Sequence, residues 1–219
     1  MADWLSNSFR KMTGLSDPGP VFIQKTNAGN AALKRGRPDE AEPLFKDALK
    51  EAEKFGEQDL RKAAAMNNLA TAYREQGKHS EAESLFRQAI AIHEKALGPA
   101  HPEVIAALGR FADFLRGRGQ PAKAESLLRR VLAAQEKSLG GEHADVIATT
   151  TALGEIYRDT GKYDKALPLL QRVLDVQVKI LGEDHLSVAT ALDNLALLYQ
   201  AQGRYEDAES FYFHALTIR

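Results

Sequence analysis

The chain has 219 residues, 44% of them hydrophobic and 27% charged, and its formal net charge is −1. This is the composition of a folded protein rather than a disordered one, and the charge balance gives no global attraction to nucleic acid or to an anionic membrane. The sequence contains no cysteine, which excludes disulfides, thiolate metal sites and a cysteine nucleophile.

The first segment, residues 1–20, stands apart from the rest of the chain. On a helical wheel Trp4, Leu5, Phe9, Met12 and Leu15 share one arc, with Asp3, Arg10 and Lys11 opposite, and Asp17-Pro18-Gly19-Pro20 then breaks the pattern. Three readings stay open: a helix capping the next element, a partner-binding helix, or a weak membrane-surface helix. The segment lacks the continuous apolar core of a secretory signal. No stretch of the chain reaches the roughly 18–20 apolar residues that span a bilayer, so no integral membrane segment is expected and the expected location is cytoplasmic.

From residue 21 onward the sequence repeats. Gly77, Gly119, Gly161 and Gly203 are each 42 residues apart, as are Leu97-Gly98, Leu139-Gly140 and Leu181-Gly182. His101, His143 and His185 keep the same step, and so do Ala82, Ala124, Ala166 and Ala208. Gly36 and Ala41 mark one further unit, displaced by one residue. Five repeats result, at 21–57, 58–99, 100–141, 142–183 and 184–219.

Each repeat reads as two helices. In the second, Ala65, Leu69, Ala72 and Tyr73 recur at helical spacing until Gln76-Gly77-Lys78 stops them. Another amphipathic run, Ala82, Leu85, Phe86, Ala89, Ile90 and His93, ends at Leu97-Gly98-Pro99. No segment shows the strict alternation of a half-buried strand. One helical pair cannot bury both of its apolar faces, so neighbouring pairs must stack. The predicted fold is all-α, a right-handed superhelical solenoid of helix-turn-helix repeats with a concave face lined by the first helices.

The pattern Asn67-Asn68-Leu69-Ala70, Tyr73, Gln76-Gly77-Lys78, Glu81-Ala82-Glu83, Leu97-Gly98 and His101-Pro102 resembles the tetratricopeptide repeat, in the 42-residue form found in kinesin light chains and their bacterial relatives. It returns as Asn194-Leu195-Ala196, Tyr199, Gln202-Gly203-Arg204 and Asp207-Ala208-Glu209. The third and fourth units depart from it, with Gly109-Arg110-Phe111 and Thr151-Ala152-Leu153 in place of the asparagines. The resemblance implies a protein-binding scaffold. It also implies asparagine contacts to a ligand backbone at Asn27, Asn68 and Asn194.

Matching positions of the first helices give three candidate rows. The first is Asn27, Asn68, Arg110, Ala152 and Asn194; the second is Leu33, Arg74, Arg116, Arg158 and Gln200; the third is Asn30, Thr71, Asp113, Glu155 and Leu197. Asparagine amides donate to and accept from an extended backbone, and arginine presents a planar fork to carboxylates. The expected function is a scaffold or adaptor holding an extended, acidic peptide segment through Asn27, Asn68, Thr71, Arg74, Arg110, Asp113, Arg116, Glu155, Arg158 and Asn194. The bland alternative is a solvated face whose arginines pair with Asp113, Glu155 and Asp159.

The periodic histidines cannot share a metal. Successive repeats place them about 10 Å apart, whereas zinc ligands lie about 2 Å from one ion. Each is expected to cap or pack the turn before a first helix. There is no phosphate-binding G-x-x-x-x-G-K-[ST], no second histidine for a zinc-protease helix at His93-Glu94, and no G-x-S-x-G elbow. No enzymatic activity, cofactor or metal is expected, nor a nucleic-acid partner. The rival function is an assembly module that self-associates through its C-terminal helix, where Phe211, Phe213, Leu216 and Ile218 are expected to face water in part. A third reading is the interaction domain of a longer protein.

Overall fold

The computed structural model describes residues 19–219; the amphipathic segment read at the N-terminus lies outside them, apart from Gly19 and Pro20. The described residues form ten α-helices and no strand. In chain order they are α1 (Pro20–Lys34), α2 (Pro38–Glu53), α3 (Leu60–Glu75), α4 (His79–Leu97), α5 (Pro102–Gly117), α6 (Pro121–Leu139), α7 (Ala144–Asp159), α8 (Tyr163–Leu181), α9 (Leu186–Ala201) and α10 (Tyr205–Ile218). Along the chain, short glycine turns alternate with the longer loops between them. The described residues divide into two compact units, 19–114 and 115–219, with the boundary inside α5.

The turn within each pair is closed the same way. In the second pair the Lys78 N–H donates to Tyr73 O at 2.8 Å and the Gly77 N–H to Arg74 O at 3.1 Å, which is a Schellman closure of α3. It requires a left-handed residue, and Gly77 supplies it at φ 75°. The same two bonds recur after α1, α5, α7 and α9. That shared requirement is why glycine marks the period.

The periodic histidines open the first helices. His101, His143 and His185 each accept, through Nδ1, the backbone N–H two residues on, at 3.2, 3.2 and 3.1 Å. Each satisfies one of the orphan amides at a helix start. Asp59 does the same for α3, accepting from Arg61 N at 2.8 Å.

Within the first unit, α2 packs between α1 and α3. Fully buried Phe45 lies in one cluster with Ala32, Ala41, Leu69 and Ala72. A Cβ on Gly29 would stand 2.4 Å from the Phe45 ring, so glycine there sets how closely α1 approaches α2. Phe86, Phe111 and Phe114 form a second aromatic group, with ring centroids 5.4 to 6.3 Å apart. In the second unit, Leu170, Val173 and Leu174 of α8 join Val188, Leu192 and Leu195 of α9. Burying a leucine of this kind stabilises by about 1.5–3 kcal/mol.

Polar stitches tie one repeat to the next at the surface. Glu42 on α2 holds Lys46 and Lys78, each at 2.7 Å, and these bonds drop its carboxyl pKa to about 2. Its counterpart Glu125 on α6 holds Lys162 at 2.6 Å and accepts from the Tyr157 hydroxyl at 3.2 Å.

On the C-terminal helix Phe213 and Leu216 are exposed, while Phe211 and Ile218 face water only in part: Phe211 stacks on Tyr199 with centroids 5.3 Å apart, and Ile218 packs against the core. Tyr205 and Tyr212 are exposed on the same helix.

Candidate functional site

The first helices carry the predicted rows, and their side chains fall into three states. Asn27, Asn68 and Asn194 are half-buried, and none of their amides makes a hydrogen bond among the described residues. Each keeps both donor and acceptor for a ligand. The Thr71 hydroxyl is engaged by its own helix, donating to Asn67 O at 2.9 Å.

The second row is charge-paired. Arg74 meets its neighbour Glu75 at 2.6 Å, Arg158 meets Asp159 at 2.8 Å, and Arg116 on α5 pairs with Glu155 on α7. Arg110 and Asp113 are exposed and make no ion pair among the described residues. Solvent reaches the Arg110 side chain, yet the protein crowding its flanks lowers the guanidinium pKa, an effect that Glu103 partly offsets.

Within the second unit the helices enclose a recess of about 820 Å³. Ala144, Ile147, Ala148, Thr151, Ala152 and Glu155 of α7 line it, together with Arg116, Gln177, Ile180, Leu181 and Ser187. Three predicted row positions, Arg116, Ala152 and Glu155, therefore come together there, while Arg158 and Asn194 do not line it. Glu142 and His143 complete the lining; the walls are largely aliphatic, and the Arg116–Glu155 pair sets one charge of each sign beside them. Such a surface suits a polypeptide segment that buries an apolar side chain and offers polar groups to the pair.

Ile147, Ala148, Gln177, Ile180 and Leu181 were not read as site residues. Ile147 and Ala148 lie on α7 one turn before the rows, and Leu181 stood out only as a helix-ending marker. The available signal was the exposure of consecutive large residues, Ile180 and Leu181, at the end of α8. A second recess, of about 540 Å³ in the first unit, lies by the loop Phe55–Asp59 and the end of α4, and it contains none of the predicted residues.

One buried group lies outside the rows. His93 on α4 is 4% exposed, with no partner for Nδ1. Burial pushes its pKa down, against the opposing pull of Glu103. Among the described residues no group of three or more His, Cys, Asp or Glu is placed to hold a metal ion, and no helix is long and apolar enough to cross a membrane.

The profile of the tetratricopeptide repeat family matches residues 23–95, 81–137, 103–177 and 145–219. The chain belongs to the tetratricopeptide repeat family. A solved structure of a Podosopora anserina putative kinesin light chain with nearly identical repeats is similar at 28% identity and a TM-score of 0.83, covering 93% of this chain and 97% of that one. BtubC from P. vanneervenii matches at 21% identity and a TM-score of 0.79, over 100% of this chain and 88% of that one. MamA from Desulfovibrio magneticus RS-1 matches at 16% and 0.68, over 92% and 97% of the two chains. The last two show likeness of fold alone. Among curated proteins no sequence match is found. Tetratricopeptide repeats generally mediate protein–protein interaction, and a protein partner is what this fold indicates.

Proposed function

We propose that this protein is a non-enzymatic scaffold that binds an extended segment of another polypeptide on the α7 face of its second unit. The recess lined by Ile147, Ala148, Ala152, Ile180 and Leu181, with Arg116 and Glu155 in its wall, carries this reading. The unengaged amide of Asn194, on α9 of the same unit, supports it, since it can hold a peptide backbone without regard to sequence. A preference for acidic segments rests on Arg116 in the recess wall and Arg158 on the same unit's α7. Each would have to exchange a carboxylate of its own chain, Glu155 or Asp159, for one from the ligand.

The test is an array of acidic and neutral peptides, followed by anisotropy titrations of the strongest binders. Arg116→Glu should weaken acidic peptides selectively and flatten the salt dependence of their binding. Equal losses for acidic and neutral peptides would remove the charge preference and leave only a scaffold for apolar segments. A second reading, a module that associates with its own copies, is favoured by one observation: the exposed apolar stripe on α10.

A further inference from the structure

Tyr205, Tyr212, Phe213 and Leu216 lie along one side of α10 and are 70%, 37%, 68% and 67% exposed. The helix one period earlier shows what such positions do when they are covered. In α8, Leu170 and Leu174 match Tyr212 and Leu216, and both are buried in the cluster they share with α9. Tyr163, the match of Tyr205, donates its hydroxyl to Ala201 O at the end of α9 at 2.9 Å. Tyr205, Tyr212 and Leu216 thus form a helix-receiving surface with its apolar residues open, and Phe213, in the place of Gln171, adds a ring beside it.

We propose that this stripe is the contact surface of a homodimer, in which the α10 of a second copy crosses it antiparallel about a two-fold axis near Tyr212 and Phe213. The proposal rests on the self-association reading above and adds its surface and symmetry.

Charge order favours the antiparallel arrangement. On the stripe side the first half of α10 holds Glu206 and Glu209, and its end holds Arg219, which within one molecule meets Asp193. Antiparallel crossing sets these carboxylates beside the Arg219 of the other copy and opposes the two helix dipoles. Parallel crossing would set acid against acid.

Head-to-tail stacking on the α1 of a second copy is disfavoured by sequence. The α3 positions that cluster with α2 are Ala65, Leu69 and Ala72. Their α1 counterparts are Gln24, Ala28 and Ala31, of which Gln24 and Ala28 are exposed. Docking there would bury a glutamine amide and gain little apolar area. Two-fold pairing also closes on itself, whereas head-to-tail contact propagates.

The area is adequate for a weak dimer. With large aromatics burying about 150–250 Å² each, the open stripe amounts to on the order of 1,000 Å² for a pair, the lower limit of a specific interface. Association should therefore depend on concentration.

The chain lacks cysteine, so single-cysteine variants of the full chain report contacts cleanly. Phe213→Cys places its thiols near the axis, whereas Tyr205→Cys places them roughly 20 Å apart at about 1.5 Å rise per residue. On mild oxidation Phe213→Cys should form covalent dimers several-fold faster than Tyr205→Cys. Light scattering should show wild type moving from monomer to dimer with concentration, and Leu216→Asp should stay monomeric with its helicity unchanged. A wild-type monomer at millimolar concentration would overturn self-association and the proposal together. That result would assign the stripe to another occupant, residues 1–18 or a different protein. A dimer that Leu216→Asp leaves intact, or that Tyr205→Cys traps faster, would overturn the α10 interface alone. Species larger than a dimer would overturn the two-fold closure.

Discussion

Thr149 and Gln135 meet across two helices: the threonine hydroxyl donates to the glutamine Oε1 at 2.7 Å. One period on, the same places hold Ala191 and Gln177, and the Gln177 Oε1 is buried without a partner. The repeat has kept the acceptor and lost its donor. A buried acceptor left unsatisfied costs about 1–3 kcal/mol.

Ala191→Thr should restore the bond. The expected result is a rise in thermal midpoint corresponding to about 1 kcal/mol, measured by calorimetry. A drop would mean that the methyl and hydroxyl overpack the α8–α9 contact, where Ala191 is only 2% exposed.

His93 predicts a pH dependence. Burial lowers its pKa below the ordinary 6.5, so the unfolded chain binds the proton more readily. The stability it confers is complete above about pH 6.5 and falls as the pH drops below that value. Glu103 opposes this shift, while Arg110 and His101 reinforce it. His93→Gln, which installs the residue found at 135 and 177, should remove this part of the acid sensitivity in denaturant titrations at pH 7.5 and 5.5. An unchanged pH slope would show that His93 accommodates its proton.

Glu42 acts in a lower window. Lys46 and Lys78 depress its pKa from the ordinary 4.5 to about 2. The folded state therefore resists protonation of this carboxylate, and its contribution is present above about pH 4.5 and lost as the pH falls towards 2. Glu42→Gln should lower stability at neutral pH and flatten the stability profile across that interval. The pair is partly solvated, so the effect should shrink in high salt.

The capping histidines are tested most simply at the last one. His185→Ala removes the acceptor for Ser187 N–H and should cost about 1 kcal/mol, while His185→Asn should recover most of it. Equal losses in the two variants would mean that the ring contributes packing rather than a cap.

The fold was legible because its constraints are local and recur. Gly77 and its counterparts answer one backbone requirement, a left-handed residue closing each helix, and sequence period transmits that directly. His185 was equally legible as a cap, since its place before a first helix repeats three times. The site was only partly legible. Rows drawn by period treat every repeat as equivalent, but Arg116 and Glu155 sit 39 residues apart on neighbouring helices, and their pairing depends on how those helices pack. Gln177 looks identical to Gln135 until its missing donor is seen across the interface. The recess is completed by Ile180 and Leu181 from the end of a second helix, a region the first-helix rows never sampled.

The scaffold reading depends most directly on the α7 recess. Calorimetric titration of the strongest array peptide against wild type, Ala148→Glu and Ala152→Trp measures it, because both substitutions fill or charge the wall without removing a core side chain. A loss of affinity of at least about tenfold, about 1.4 kcal/mol, is expected in both variants at unchanged helicity and thermal midpoint. Wild-type affinity in both variants would refute peptide binding in the recess and place the binding surface elsewhere on the repeats.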